Sequence, residues 1–512
     1  MDSYRGVTLS SIVAKVLEFL CLDRLQMVFL EADLPHVNQT AYRKSVSCAD
    51  AIFATQEVIA RYFNSGSKVY MCLYDLQKAF DSVEYAVLMD KLFEVGVNGK
   101  MWRLLRNWYD GGSCRVKVDG RLSEMYPVGR GVKQGSVLSP ALFLLVLDPL
   151  LRELQASGLG LSINNYAGVF LHADDVRTLA TSKESLEAQV ALVKKFAEMN
   201  FLKLNVDKCE IVMFSRGNNV DVPVCEVDGS VLPAGDVGKC LGFWWKGDLL
   251  ATRSIDENIK KARRAFFHYG SIGAFQGDLS PLSSRSILDT CVMPVLMYGC
   301  ENWLMTHVLV EKVESFQAEL AKRVLKWPKH HSNTAALMAT GLQSMRSRIL
   351  ERKLGFLQGV LDGSSRCVSG RVVEAMSDSI SSLCLMKECR ELEELCGVAF
   401  TEKLLKGELK WCKSLQEEIR RVDCELLLER CTVKAPLIAE VEERGGWARL
   451  WDTTLNFGVQ HTRGLQMLSR VMSYHGRGNR PCPLCDTAPL DVSVLDHLLC
   501  EHCTGLGCGI QP

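Results

Sequence analysis

The first half of the chain alternates short apolar runs with acidic residues. Residues 169–176 are mostly apolar, with β-branched residues at both ends, and they enclose the adjacent aspartates Asp174 and Asp175. Runs of this length and type are typical of strands, so two short strands are predicted, with both aspartates at the turn between them. Another apolar strand is predicted over residues 69–74, and Asp75 follows it directly. The pattern therefore predicts three carboxylates at strand ends, where they are held in place and exposed.

Carboxylates grouped in this way suit a divalent metal. Hard oxygen ligands favour Mg²⁺, which keeps several waters and completes its coordination with substrate phosphates. Two such ions, about 3.5–4 Å apart, hold the attacking and leaving oxygens of a phosphoryl transfer. The other interpretation is a solvated turn, since adjacent aspartates are common at protein surfaces. The metal interpretation predicts that the three carboxylates converge on one site for nucleotide addition.

A glycine-rich segment separates the two acidic sites. Residues 129–138 contain three glycines and lead into an apolar helix predicted over residues 141–147, with Ser139 as its cap and Pro140 at its first position. Glycines let the backbone approach a ligand closely, so the segment predicts a platform that faces a phosphate or a base. Further along the chain, Lys208 supplies a cation.

After residue 245 the pattern becomes helical. Residues 256–267 place apolar side chains at helical spacing, and residues 282–297 predict another apolar helix that bends at Pro294. Amphipathic helices rich in Leu, Glu, Lys and Arg are predicted from about residue 340 to 475, with a break at Gly359. No group of catalytic residues is recognisable in that stretch.

The overall charge neither requires nor excludes nucleic-acid binding. The 512 residues include 60 basic and 60 acidic side chains, which give a formal net charge of +0. A balanced charge argues against a nucleic-acid binder, but polymerases bind through local grooves. Basic stretches occur at residues 260–264 and 322–331, and Trp327 in the second suits stacking on a base. The alternative for both stretches is a solvated helix face.

Length and cysteine usage indicate an intracellular chain of several domains. A hydrophobic content of 47% over 512 residues predicts roughly two to four domains with substantial cores. The 21 cysteines are scattered without a regular framework, which favours reduced thiols. The first residues do not resemble a secretory signal, and no apolar run reaches the length of a bilayer span. We therefore expect a cytoplasmic or nuclear protein, or both, with no membrane partner.

In this order and spacing, the segments resemble the palm motifs of reverse transcriptases, most closely those of non-LTR retrotransposons of the LINE type. The match begins upstream, at residues 4–9 and 41–51, and covers roughly the first half of the chain. The resemblance implies the α+β right-hand polymerase fold, with an antiparallel sheet in the palm. The implied regions are fingers and palm over residues 1–245, with incomplete fingers, a thumb-like helical region over 246–330, a helical carboxyl-terminal region over 331–475 and a zinc-knuckle-like tail over 476–512.

The resemblance also implies which residues hold metal and nucleotide. Asp75 lies at the position of the first catalytic motif, and Asp174 with Asp175 at that of the second, where they would bind two Mg²⁺ ions. The positions implied to contact the incoming deoxynucleoside triphosphate are Arg43, Phe80, Gln134, Gly135 and Lys208.

Each nucleotide position has its own implied task. Phe80 matches the aromatic ring that blocks a ribose 2′-hydroxyl and so favours deoxynucleotides, although plain core packing is the alternative for this residue. Gln134 and Gly135 match the loop that packs on the incoming nucleotide and the template. Lys208 matches the lysine near the leaving pyrophosphate, and Arg43 matches a fingers residue that touches the triphosphate.

The sequence departs from the family pattern at the aspartate pair and at its beginning. The residue before Ala173 is usually tyrosine or phenylalanine, and here it is His172, which could titrate near neutral pH beside two carboxylates. The chain also opens inside the fingers, without the upstream endonuclease domain of most such elements, which suggests an amino-terminally truncated or decayed copy.

Two functions from different classes follow from these features. The first is an RNA-directed DNA polymerase that uses an RNA template, a DNA primer and deoxynucleoside triphosphates. The alternative is a catalytically inactive nucleic-acid-binding remnant of a retroelement. A structural helical scaffold would require the aspartate motifs to be a coincidence. The sequence does not indicate an oligomeric state.

A cysteine–histidine motif lies near the carboxyl end. Cys482 and Cys485 form a Cys-x2-Cys pair, and His497 follows at a spacing compatible with a tetrahedral Zn²⁺ site. The resemblance implies His502 as the fourth ligand, although a cysteine is usual there, and Cys500 or Cys503 could serve instead. The alternative is a set of free thiols.

Overall fold

The computed structural model describes residues 6–217, 222–275, 279, 281–363, 368–376 and 382–434. These residues form two compact units. The first contains the described residues up to Leu250 and those of Gly359–Cys384, and the second contains Ala251–Gln358 and the described residues from Leu385 onward. The zinc-ligand candidates Cys482, Cys485, His497 and His502 therefore lie outside the described residues.

The first unit contains both helices and strands. Its helices before Leu250 are α1 (Ile12–Glu31), α2 (Cys48–Asn64), α3 (Tyr85–Glu94), α4 (Gly99–Asp110), α5 (Ser139–Ala156) and α6 (Lys183–Met199). Its strands are β1 (Val69–Tyr74), β2 (Ser113–Cys114), β3 (Lys117–Val118), β4 (Arg121–Leu122), β5 (Tyr126–Pro127), β6 (Ser162–Ile163), β7 (Asn165–Tyr166), β8 (Val169–His172), β9 (Asp175–Ala180), β10 (Glu210–Phe214), β11 (Glu226–Val227), β12 (Ser230–Val231), β13 (Ala234–Gly235), β14 (Val237–Cys240) and β15 (Phe243–Lys246).

A five-stranded sheet in the order β13-β10-β1-β9-β8 forms the centre of this unit. Strand β1 is antiparallel to both of its neighbours, and β8 and β9 form a hairpin. Alternate residues of β1, namely Tyr70, Cys72 and Tyr74, join a hydrophobic core with residues of α5 and α6. Because successive side chains of a strand point to opposite faces, this alternation fixes which face of the sheet the helices cover. The mixed helix and sheet content agrees with the expected polymerase-like α+β fold.

Helix α5 begins one residue earlier than expected. The prediction of Ser139 as its cap is wrong, since Ser139 is the first residue of the helix and Leu138 occupies the cap position. The Ser136 hydroxyl accepts a hydrogen bond from the Leu138 amide at 3.2 Å and so stabilises the approach to the helix. Pro140 lies in the first turn, where a missing N–H costs no intrahelical bond.

The second unit is helical in its described residues. Its helices are α7 (Thr252–Ser271), α8 (Pro281–Ile287), α9 (Met293–Leu296), α10 (His307–Val324), α11 (Asn333–Thr340), α12 (Met345–Leu361), α14 (Cys384–Cys396), α15 (Thr401–Leu405) and α16 (Lys413–Lys434). The last residues of α12 and the first of α14 are assigned to the first unit. The first unit also contains α13 (Val368–Ala375). A π-helical turn, Leu288–Val292, separates α8 from α9. Helical backbone therefore runs without a break from Pro281 to Leu296 and past Pro294, as expected, and the π-helical turn lies directly before the first turn of α9, which contains Pro294.

Buried polar contacts join the helices of the second unit. The Asp423 carboxylate accepts hydrogen bonds from the Ser344 amide at 2.8 Å and from the Ser347 hydroxyl at 2.7 Å, which links α16 to the start of α12. The fully buried Lys353 donates to the Trp303 carbonyl at 2.7 Å, and its ammonium lies 3.9 Å from the Glu388 carboxylate. None of the helices in the described part of the chain is both long and apolar enough to cross a lipid bilayer.

Candidate active site

The aspartate pair lies in a tight hairpin. Strand register pairs His172 with Asp175, so the turn contains only Ala173 and Asp174. The expectation that both aspartates lie in the turn is therefore wrong for Asp175, which is the first residue of β9. Favoured two-residue hairpin turns need a positive φ at their first central residue, and Ala173 adopts φ 54°. A non-glycine residue in this region costs about 1–3 kcal/mol, so surrounding contacts must stabilise the turn.

Asp75 reaches the same end of the sheet as Asp175. The register of β1 with β9 pairs Tyr74 with Val176, and Asp75 is the next residue after Tyr74. Because Asp175 directly precedes Val176, extending this register by one residue would place Asp75 opposite Asp175. Opposed residues of antiparallel strands have Cα atoms about 4.5–5.5 Å apart. The register thus places Asp75 and Asp175 at the same end of the sheet, with Asp174 in the adjoining turn, and all three side chains are half-buried.

The donor set fits Mg²⁺ in its chemistry. Within the described ranges, no three His, Cys, Asp or Glu side chains are clustered tightly enough to hold a metal ion by themselves. Mg²⁺ needs no such closed set, because it usually binds one or two carboxylates and completes its shell with waters and substrate phosphates. Asp75, Asp174 and Asp175 offer hard oxygen ligands at one open end of the sheet.

The carboxylate of Asp75 is fixed by residues of a later segment. The Asn205 side-chain amide donates to its Oδ2 at 2.9 Å, and the Lys208 ammonium lies 3.3 Å from the same oxygen. The backbone amide of Asn205 also donates to the Asp75 carbonyl at 2.8 Å. Lys208 therefore contacts Asp75, while its implied place near the leaving pyrophosphate stays a prediction. Asn205 was missed. Its position three residues before Lys208, in the same short segment, was the available signal.

The glycine-rich segment packs against the residues that follow Asp75. The Gly131 amide donates to the Val83 carbonyl and the Val132 amide to the Phe80 carbonyl, both at 2.8 Å. Gly131 has φ +92°, and a Cβ there would lie 2.9 Å from the Asp81 carbonyl oxygen, so only glycine fits. The side chain of Gln134 donates to the Asp81 carboxylate at 3.1 Å.

Comparison with known proteins gives a family to this half of the chain. Residues 1–247 match the family model described as reverse transcriptase (RNA-dependent DNA polymerase). They are a reverse transcriptase domain of the non-LTR retrotransposon type. The recognition made from the sequence motifs is therefore confirmed.

Three curated relatives illustrate the similarity. The Pol polyprotein of the type-2 retrotransposable element R2DM from Drosophila melanogaster is 31% identical over 209 residues, 41% of this chain and 19% of the relative. The RNA-directed DNA polymerase from mobile element jockey of Drosophila funebris is 24% identical over 63% of this chain and 36% of that protein. A Pol polyprotein of the type-1 retrotransposable element R2 from Popillia japonica is 25% identical over 65% of this chain and 46% of the relative.

The chain therefore spans less than half the length of these relatives. Among solved structures, apo telomerase from Candida Tropicalis truncated from its C-terminal domain aligns over 44% of this chain and 43% of that chain. The TM-score is 0.33 at 13% identity, which is a weak likeness.

In the reverse transcriptase domain, Phe80 packs on the core with one face. Its ring stacks on Phe143 of α5 with centroids 4.4 Å apart and an interplanar angle of 19°. The side chain is only partly buried, so part of the ring remains exposed. This contact is compatible with core packing and with a sugar-blocking role, and the latter stays a prediction.

The other residues implied to contact the nucleotide differ in their surroundings. Arg43 donates to the backbone carbonyls of Gln39, at 2.8 Å, and Pro35. A contact with a triphosphate would require its guanidinium to exchange these bonds, so that role stays a prediction. Gly135 is exposed with φ +104°, and a Cβ there would lie 3.0 Å from the Thr8 carbonyl oxygen. Tyr42 received no role from the sequence, yet burial and then the charge of Asp174 raise its pKa.

His172 is held by two side chains. Its Nδ1 lies 2.9 Å from the Thr40 hydroxyl oxygen and its Nε2 lies 3.5 Å from the Cys48 sulfur. The Thr40 hydroxyl also contacts the Leu171 carbonyl oxygen at 2.9 Å. Burial, and then the charge of Arg177, lowers the pKa of His172. Both effects disfavour a positive charge on the ring beside the aspartates.

Proposed function

We propose that this chain is an RNA-directed DNA polymerase of retrotransposon origin that adds deoxynucleotides to a DNA primer on an RNA template. The observation that carries the proposal is the strand register that brings Asp75 and Asp175 to one end of the sheet, with Asp174 in the turn. The match of residues 1–247 to the reverse transcriptase family supports it. The second unit would supply most of the thumb-like region expected over residues 246–330 and part of the carboxyl-terminal helical region expected over 331–475, since Gly359–Cys384 belong to the first unit.

In the proposed reaction, the primer 3′-hydroxyl oxygen bonds to the α-phosphorus of the nucleotide, pyrophosphate leaves and the hydroxyl proton is released. Asp75, Asp174 and Asp175 would hold two Mg²⁺ ions, which when bound stabilise the attacking and leaving oxygens. Asn205 and Lys208 keep the Asp75 carboxylate in place through the contacts described above. Gln134 and Gly135 would line the nucleotide side, with Phe80 beside the sugar and Arg43 near the triphosphate.

A primer-extension assay on an RNA template tests the proposal. The purified chain should extend a DNA primer in Mg²⁺, and Asp174→Asn, which preserves side-chain size and the hairpin turn, should reduce extension. Losing one metal ligand removes several kcal/mol of transition-state stabilisation, which corresponds to roughly a thousandfold in rate. Asp119→Asn is the matched control, since Asp119 is an exposed turn residue with φ 46°. No extension by the wild-type chain would favour the catalytically inactive nucleic-acid-binding remnant.

The proposal also includes a zinc site near the carboxyl end and a location in the cell. Cys482, Cys485, His497 and His502 are proposed to bind one Zn²⁺, which would fold the tail around them. A cytoplasmic or nuclear location is proposed because no cysteine in the described ranges forms a disulfide, as is usual where thiols stay reduced.

A further inference from the structure

A short segment covers the outer edge of the aspartate hairpin. This edge segment, residues 36–41, runs beside β8, where Gln39 forms a parallel bridge with Leu171. The Thr40 amide donates to the Leu171 carbonyl at 2.9 Å, and the Leu171 amide donates to the Asn38 carbonyl at 2.9 Å. The hairpin therefore has a partner on each side, because β9 pairs with β1 on the other.

The side chain of Gln39 reaches the turn itself. It is 2% exposed, and its Oε1 accepts hydrogen bonds from the Ala173 amide at 3.0 Å and the Ala41 amide at 3.1 Å. Two backbone donors determine which end of the Gln39 amide faces the turn. Its Nε2 is buried and has no hydrogen-bond partner in the described part of the chain, so the acceptor oxygen makes the contacts.

Ala173, whose amide donates to the Gln39 oxygen, has a strained backbone conformation. Ala173 has φ 54° and directly precedes Asp174. In that backbone region a residue with a Cβ persists only where its surroundings determine the conformation. A rotation of the Ala173 backbone would move the Asp174 carboxylate, and displacing a catalytic group by about 1 Å can cost on the order of a hundredfold in rate.

We propose that Gln39 is a positioning residue for the catalytic aspartates, and that it acts by fixing the backbone of Ala173. This inference rests on the proposed polymerase function, because the aspartates must be the metal ligands for the positioning to matter. The described contacts of the Gln39 side chain are all with the protein backbone. Its loss should therefore lower kcat, while KM for the deoxynucleotide and for the template-primer stays nearly constant.

The test compares Gln39→Met, which keeps size but removes the carbonyl acceptor, with Gln189→Leu. Gln189 is a suitable control because it is also fully buried and its Nε2 donates to the Gly168 and Leu179 carbonyls, at the other end of the hairpin. Gln39→Met should reduce kcat roughly 10- to 100-fold. It should also accelerate hydrogen exchange in the peptide that contains Ala173. Gln189→Leu should leave kcat within about threefold of wild type.

A rescue variant separates positioning from loss of folding. Glycine adopts positive φ without strain, so adding Ala173→Gly to Gln39→Met should restore part of the lost kcat, although it restores no contact of Gln39. Unchanged exchange at Ala173 in Gln39→Met would overturn the inference, as would a kcat loss no larger than that of Gln189→Leu. An inactive wild-type chain would count against the proposed polymerase function alone, since the exchange measurement still decides whether Gln39 fixes the turn.

Discussion

Replacing Arg177 with methionine should stabilise the first unit. Arg177 lies in β9, two residues after Asp175, and it is 0% exposed. Its three guanidinium nitrogens have no hydrogen-bond partner in the residues that the structure describes. Across the sheet it is paired with Leu73 and Phe170, which offer only apolar side chains. Burying a cation without hydrogen-bond partners costs desolvation free energy that no contact offsets.

The size of the effect follows from these contacts. Each unpaired buried polar group costs about 1–3 kcal/mol, and relaxation reduces the sum for a single guanidinium. Replacing buried charges with well-packed apolar residues is often neutral or gains about 1–4 kcal/mol. Methionine keeps most of the aliphatic stem, so a gain of about 2–3 kcal/mol is expected. For a unit of this size that corresponds to roughly 4–12 °C in Tm.

Scanning calorimetry of the full chain measures this gain in the transition of the first unit. Arg121→Met is the control, because Arg121 is exposed in β4 and its loss should change stability by less than about 0.5 kcal/mol. Arg177 also contributes to the lowered pKa of His172, so Arg177→Met should move that pKa upward in an NMR titration. Destabilisation by more than about 1 kcal/mol would refute the assignment of Arg177 as an uncompensated buried charge.

Three further predictions concern other parts of the chain. Phe80→Val should admit ribonucleotides while retaining part of the deoxynucleotide use, as measured by primer extension with each; unchanged selectivity would return Phe80 to core packing. Burial raises the pKa of Glu388 from 4.5 to about 7. Between these pH values the native protein binds a proton that the unfolded chain does not, so the free energy of unfolding falls as the pH rises. Glu388→Gln should remove that fall, on the order of 2–3 kcal/mol in urea unfolding, and an identical pH dependence would contradict this. Chelation should release one Zn²⁺ from wild type and none from Cys482→Ser, by atomic absorption.

Local patterns predicted the elements around the aspartates well. The apolar run of residues 69–74 is β1, and the apolar segments around Asp174 form the hairpin of β8 and β9. These predictions succeed because side-chain periodicity and β-branching act over a few residues. The turn itself was misplaced by one residue, since the pattern does not determine which residue of an apolar run makes the first ladder bond.

Contacts between segments far apart in the sequence could not be predicted from local patterns. The bond between Gln39 and Ala173 joins residues 134 apart in sequence, and the inclusion of Gly359–Cys384 in the first unit is equally non-local. Arg177 lies between Val176 and Thr178 in β9, and the sequence pattern does not indicate whether its side chain leaves the core. Burial of this kind depends on which elements cover each face of the sheet.

The aspartates are held from both sides by neighbouring segments. Asn205 and Lys208 fix Asp75 from one direction, and the edge segment fixes the hairpin from the other through Gln39 and Thr40. Thr40 also contacts His172, so the residue that departs from the family pattern is held between Thr40 and Cys48. The departure at His172 is therefore compatible with a working carboxylate cluster, because burial and the charge of Arg177 both lower the pKa of the ring and so disfavour a positive charge beside the aspartates.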